Sequence, residues 1–85
     1  MNYIKGTYIK DIYSNEENGY VVGILKLKET DLDIIDTKIY FTGNFYNLRY
    51  KNSYTMYGEL ITHPKYGTQF NVSNYELLFR KIQLI

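Results

Sequence analysis

The sequence predicts a small all-β domain closing into a barrel. Three observations carry this expectation. Short β-branched and aromatic runs, separated by turn residues, fill most of the 85 positions. No apolar stripe with i, i+3, i+4 spacing is sustained before the last dozen residues, and alanine is absent. Glycines at Gly6 and Gly23 sit inside strand-like runs, where a closing barrel needs bulges or bends. The length allows one hydrophobic core. A chain this short buries only about 60–65% of its unfolded surface, so its stability margin is expected to be narrow.

The first predicted strand is "YIKGTYIKDIY", residues 3–13, followed by the polar loop "SNEENG" ending in the turn dipeptide Asn18-Gly19. The second is "YVVGILKLK", residues 20–28. Lys26 and Lys28 must face water, which turns Leu25 and Leu27 inward. Tyr20 and Val22 read as the inward set before Gly23, so a bulge at Gly23 is expected to bring both sets to one core. Residues 29–37, "ETDLDIIDT", read as a long acidic connection with room for a turn of helix. "KIYFTG", residues 38–43, is the third strand, and the loop "NFYNLRYKNS" after it offers Phe45 and Leu48 as core plugs. "YTMYGELI", residues 54–61, alternates with Tyr54, Met56, Gly58 and Leu60 on one face. "THPKYG" is the next hairpin loop, and "TQFNVSNYEL" the fifth strand, with Phe70 and Val72 on one side. The barrel is expected over residues 1–80, with 81–85 as a tail leading toward a further domain.

Five strands with glycine bends and no substantial central helix fit an OB-like barrel best, with an SH3-like barrel as the alternative. OB domains bind ligands across the second and third strands, between the loops joining strands one to two and four to five. Those loops are "SNEENG" and "THPKYG", so the stretch "HPKYGTQF" falls where such domains bind.

Composition narrows the chemistry. There is no cysteine, hence no disulfide and no thiolate metal site, and His63 is the single histidine. No apolar run approaches the roughly 18 residues of a membrane span, and "MNYIKGTYIK" lacks a signal-peptide centre. A cytoplasmic protein without membrane or metal partners is expected. The net charge of +1 divides unevenly: residues 1–48 carry five Lys against seven Asp and Glu, and residues 49–85 five Lys and Arg against two Glu. An anion-binding face is therefore expected to draw mainly on the second half. Eleven tyrosines and four phenylalanines stand out more than the charge does, and bulky rings can fill a thin core. Most are expected to pack inside, and some to lie outside as stacking platforms.

The elements "GTYIKDIYSNEENGYVV", "FTGNF" and "YGELITHPKYGTQF" together resemble the N-terminal OB-like domain of the stand-alone RecD-like bacterial DNA helicases, relatives of the exodeoxyribonuclease V alpha subunit. The resemblance covers about residues 4–76. Asn52 stands where the family usually has a glycine, and asparagine tolerates the positive φ such a turn requires. Leu60 stands where the family often has a ring. The resemblance implies a domain of a longer ATP-dependent helicase. The sequence holds no G-x-x-x-x-G-K-[ST] loop, so ATP and magnesium are expected only in motor domains outside it, with no cofactor for the chain itself.

On this reading the partner is single-stranded DNA, held weakly beside the motor. Tyr66 and Lys65 form the stacking-and-phosphate pair at the hairpin tip, with His63 as a hydrogen-bond donor. Lys26, Lys28 and Tyr40 continue the surface, and Arg49 and Lys51 add phosphate contacts. Gln69 is expected to hydrogen-bond a loop backbone, and Phe70 to be core. Glu16 and Glu17 would repel phosphate from the first loop. The alternative is a docking module that packs on the helicase core or a partner protein without DNA contact. Exposed Tyr and Lys on one face would favour DNA; an exposed Leu, Ile and Phe patch without lysine would favour docking. No constellation for catalysis is present.

Overall fold

A computed structural model describes residues 1–65 and 67–78. The expected end of the barrel at residue 80, the tail 81–85 and the placement of Tyr66 lie outside the described residues. Five strands follow one another: β1 (Asn2–Asn15), β2 (Tyr20–Thr30), β3 (Lys38–Asn44), β4 (Ser53–His63) and β5 (Gly67–Leu78). Each overlaps its predicted run and extends it, because hairpin pairing continues to the turns. No helix forms among the described residues, and the 29–37 connection has bends where a helical turn had room. Its half-buried Leu32 and Ile34 pack against the core instead.

The sheet closes in the order β1-β2-β3-β5-β4 and returns to β1. β1 can serve both halves because it is long and bent. Asn2–Thr7 pair with β4, while register shifts at Lys5/Gly6, Tyr8/Lys10 and Asp11/Tyr13 curl the strand along β2. At Gly6 a Cβ would lie 2.0 Å from the Lys26 carbonyl oxygen, so only glycine allows that approach. β3 and β5 pair in parallel through Phe41–Phe70 and Thr42–Asn71. This parallel closure is the OB arrangement, not the all-antiparallel SH3-like alternative.

The second strand differs from expectation. Val21, Gly23 and Leu25 face the core in unbroken alternation, and Tyr20, Val22 and Ile24 face out. No bulge occurs at Gly23; the unpaired residues of this ladder are Ile9 and Ile12 in β1 and Lys28 further along β2. Gly23 is instead a seat for the Phe41 ring, 2.6 Å from where a Cβ would stand.

The core is Ile4, Tyr8, Val21, Leu25, Ile39, Phe41, Phe45, Tyr54, Met56 and Phe70. Fully burying each large apolar side chain contributes roughly 1.5–3 kcal/mol. A chain of rings runs through it: Tyr50 stacks on Tyr8 at 4.8 Å, Tyr8 meets Phe41 edge-on at 5.7 Å, Phe41 meets Phe45 at 5.4 Å, and Phe45 meets Tyr75 at 4.8 Å. Phe45 and Leu48 plug the barrel as expected. Tyrosine hydroxyls hold the plug in place. Tyr75 accepts from the Tyr46 amide at 2.8 Å and lies 3.2 Å from the Tyr46 carbonyl, and Tyr54 accepts from the Arg49 amide at 2.9 Å. The positive φ in this loop falls on Asn47 (59°) and Lys51 (69°), not on Asn52. Asn52 instead offers its carbonyl to the Tyr8 amide at 3.0 Å.

Candidate nucleic-acid interface

Directly opposed residues in an antiparallel ladder point to the same side of the sheet. On β2 the outward residues are therefore joined by outward partners on both neighbours. Ile24 stands between Lys10 of β1 and Tyr40 of β3, and Val22 lies opposite Tyr13. Lys26 lies between Thr7 and Lys38. Lys10, Tyr13, Lys26, Lys38 and Tyr40 are all exposed. None of these rows carries an acid, and among the described residues no carboxylate pairs with Lys10, Lys26 or Lys38. Lys26 and Lys38 are direct cross-strand partners, an arrangement that costs stability because like charges face each other.

Beside these lysines lies a groove of about 490 Å³ lined by Ile12, Tyr13, Val22, Tyr40 and Gln69. Its floor is aliphatic. Tyr13 and Tyr40, 52% and 45% exposed, present rings to solvent. The Tyr13 and Tyr20 rings are 6.2 Å apart. Gln69 reaches the groove from β5, opposite Ile61. The expected hydrogen bond from Gln69 to a loop backbone does not form: among the described residues its side-chain amide has no hydrogen bond.

The two loops flanking this face are built by their own residues. Asn15 and Asn18 accept from the Glu17 and Tyr20 amides, each at 3.0 Å, and Gly19 takes φ 74°. The Gly19 carbonyl accepts from the Phe45 amide at 2.9 Å, tying this loop to the barrel plug. In the second loop the His63 Nδ1 accepts from the Lys65 amide at 3.0 Å, and Gly67 supplies φ 81°. His63 thus caps its own turn, which in the neutral ring leaves the proton on Nε2.

The candidate residues divide by position. Lys26 and Tyr40 lie together on the β2–β3 face, with exposed Lys28 further along β2. His63 and Lys65 stand at the end of the β4–β5 hairpin, beyond Ile61 and Gln69. Tyr66 lies outside the described residues. Arg49 and Lys51 belong to the plug loop on the other edge of β1, where the Lys51 amide donates to the Tyr8 carbonyl at 2.8 Å. They do not line the groove with Tyr40.

A separate recess of about 460 Å³ opens beside that loop, with Asp11 and Glu16 in its wall. The Tyr50 hydroxyl donates to Asp11, and this bond, followed by burial, raises the Tyr50 pKa. Burial first, then the Tyr50 side chain against it and the Asp11 charge, raises that of Tyr8.

Lys10, Tyr13, Ile12 and Lys38 escaped the sequence reading. A signal existed for Lys38, since a β2–β3 hairpin paired through Leu25 and Ile39 must set it opposite Lys26. For Lys10 and Tyr13 there was none, because two bulges change which side of β1 faces out. The lysines bordering the groove come from residues 1–48, the half with the net negative charge.

The family model described as "ATP-dependent DNA helicase YrrC, OB-fold domain" matches residues 1–79. No solved structure matches the chain. With the closed five-strand barrel and its exposed β2–β3 face, that match places the protein: the chain belongs to the family of the OB-fold domain of ATP-dependent DNA helicase YrrC.

Proposed function

We propose that this chain is an accessory N-terminal domain of a stand-alone RecD-like helicase of the bacterial cytoplasm, and that it contacts single-stranded DNA weakly beside the motor. The observation that carries this reading is the opposed Lys26–Lys38 pair beside the exposed Tyr13 and Tyr40 rings, on the face OB domains use for ligands. An anion between two facing lysines removes their repulsion, and a strand of phosphates and bases supplies both anions and stacking partners. ATP and magnesium belong, on this reading, to the motor domains, and the chain itself uses neither.

Docking on the helicase core or on a partner protein is the second reading. Exposed Ile12 in the groove and Glu16 and Glu17 in the first loop favour it. The lysines around the groove favour DNA.

Fluorescence anisotropy of a labelled single-stranded oligonucleotide at several salt concentrations tests the proposal. With about three lysines on phosphates, log K is expected to fall with log salt at a slope of about −2. Tyr40→Ala is expected to weaken binding with the slope intact, whereas Lys26→Ala reduces the slope. No binding at low salt would move the role to docking.

A further inference from the structure

The groove between Tyr13 and Tyr40 is built unlike a simple electrostatic track. Its aliphatic floor of Ile12 and Val22 would hold no phosphate, yet its wall ends in one amide, Gln69. That side chain is half-buried on β5, and among the described residues nothing hydrogen-bonds it. Among the described residues no buried side-chain nitrogen or oxygen lacks a partner, so the Gln69 amide meets solvent and both its donor and its acceptor are open to a ligand. About 490 Å³ lies within the roughly 300–1,000 Å³ of sites that enclose a small molecule.

We infer that this groove takes one unpaired nucleobase, with its face against a tyrosine ring and its Watson–Crick edge on the Gln69 amide. The inference rests on the single-strand reading above and goes beyond it by giving the domain a means of telling single strand from duplex. A carboxamide offers one donor group and one acceptor side by side. Each of the four bases offers an adjacent donor and acceptor on its Watson–Crick edge, so the amide pairs with any of them by rotating. In a duplex that edge is occupied by the opposite strand. Gln69 therefore selects for an unpaired base without reading its identity. The flanking lysines contribute the non-selective part of the affinity, since they bind the phosphates of either form.

The test is anisotropy of the full chain and its Gln69→Ala variant. The probes are single-stranded dT and dA 15-mers, an abasic 15-mer and a 15-base-pair duplex, each at the same series of low to moderate salt concentrations. Urea melts of each variant confirm the fold. Wild type is expected to bind both base-bearing strands alike, and the abasic strand and duplex about tenfold or more weakly. Gln69→Ala is expected to lose about three- to tenfold on the base-bearing strands and little on the abasic one, with an unchanged salt slope. Gln69→Glu, an acceptor-only group, is expected to weaken binding of both the dT and the dA strand, because each base sets an acceptor beside its donor on the Watson–Crick edge. If every strand binds and Gln69→Ala matches wild type, or the abasic strand binds as well as the others, the base-pocket inference fails alone. If nothing binds, the single-strand reading fails with it.

Discussion

Gly23 carries no side chain because Phe41 fills the space where one would stand. A Cβ there would lie 2.6 Å from the Phe41 ring, and 3.1 Å from the Lys10 carbonyl oxygen. Phe41 is fully buried, pairs with Phe70 across the parallel seam and touches Tyr8 and Phe45, so it has no free direction to move. Gly23→Ala is therefore expected to lower stability by about 1–3 kcal/mol, read as a drop in the urea midpoint with an unchanged m-value. An unaltered midpoint would mean that the ring yields without cost. The sequence marked Gly23 as exceptional but assigned the wrong reason. A glycine that bends a strand and one that seats a ring look alike until the partner strand is aligned.

At the scale of the element, the β2–β3 hairpin trades stability for charge. Lys38→Glu would turn the Lys26–Lys38 opposition into a cross-strand ion pair. It is expected to stabilise the fold by about 0.2–1 kcal/mol while weakening single-strand binding at least several-fold. Paired urea and anisotropy measurements check it, and a variant that binds as wild type would remove this pair from the interface. Strand order and extent were legible because apolar alternation and turn residues carry that information locally. Phe45 and Leu48 were legible as plugs for the same reason: apolar residues in a polar loop have few other places to go. The outward face of β1 was not legible. Its shifts at Tyr8/Lys10 and Asp11/Tyr13 depend on pairing with β2, and they bring Lys10 and Tyr13 onto the face with Tyr40. Nor did the sequence separate Arg49 and Lys51 from that face; the plug loop carries them to the other edge of β1.

At the scale of the whole molecule, the ring chain from Tyr50 through Tyr8 to Tyr75 links the plug loop to the core and makes stability depend on phenol protonation. Burial and the Tyr50 side chain against it raise the Tyr8 pKa, and the bond to Asp11 raises that of Tyr50. Raised values mean that the folded state holds protons which the unfolded chain releases above the ordinary tyrosine value of about 10. This contribution is fully present below about pH 10 and is lost as pH rises past it. Urea midpoints are expected to stay level to about pH 10 and fall beyond it, with a smaller fall in Tyr8→Phe. An equal fall in that variant would place the sensitivity elsewhere.

The proposed path of DNA runs across the outer face of β2 and β3. Amide chemical-shift mapping of the isotope-labelled chain, titrated with a single-stranded oligonucleotide at low salt, tests it most directly. Shifts concentrated at Tyr13, Val22, Ile24, Lys26, Lys38, Tyr40 and Gln69, with Asn47 to Lys51 unmoved, are the expected result. Shifts confined to the plug loop and the Asp11–Glu16 recess, or none at saturating oligonucleotide, would contradict it.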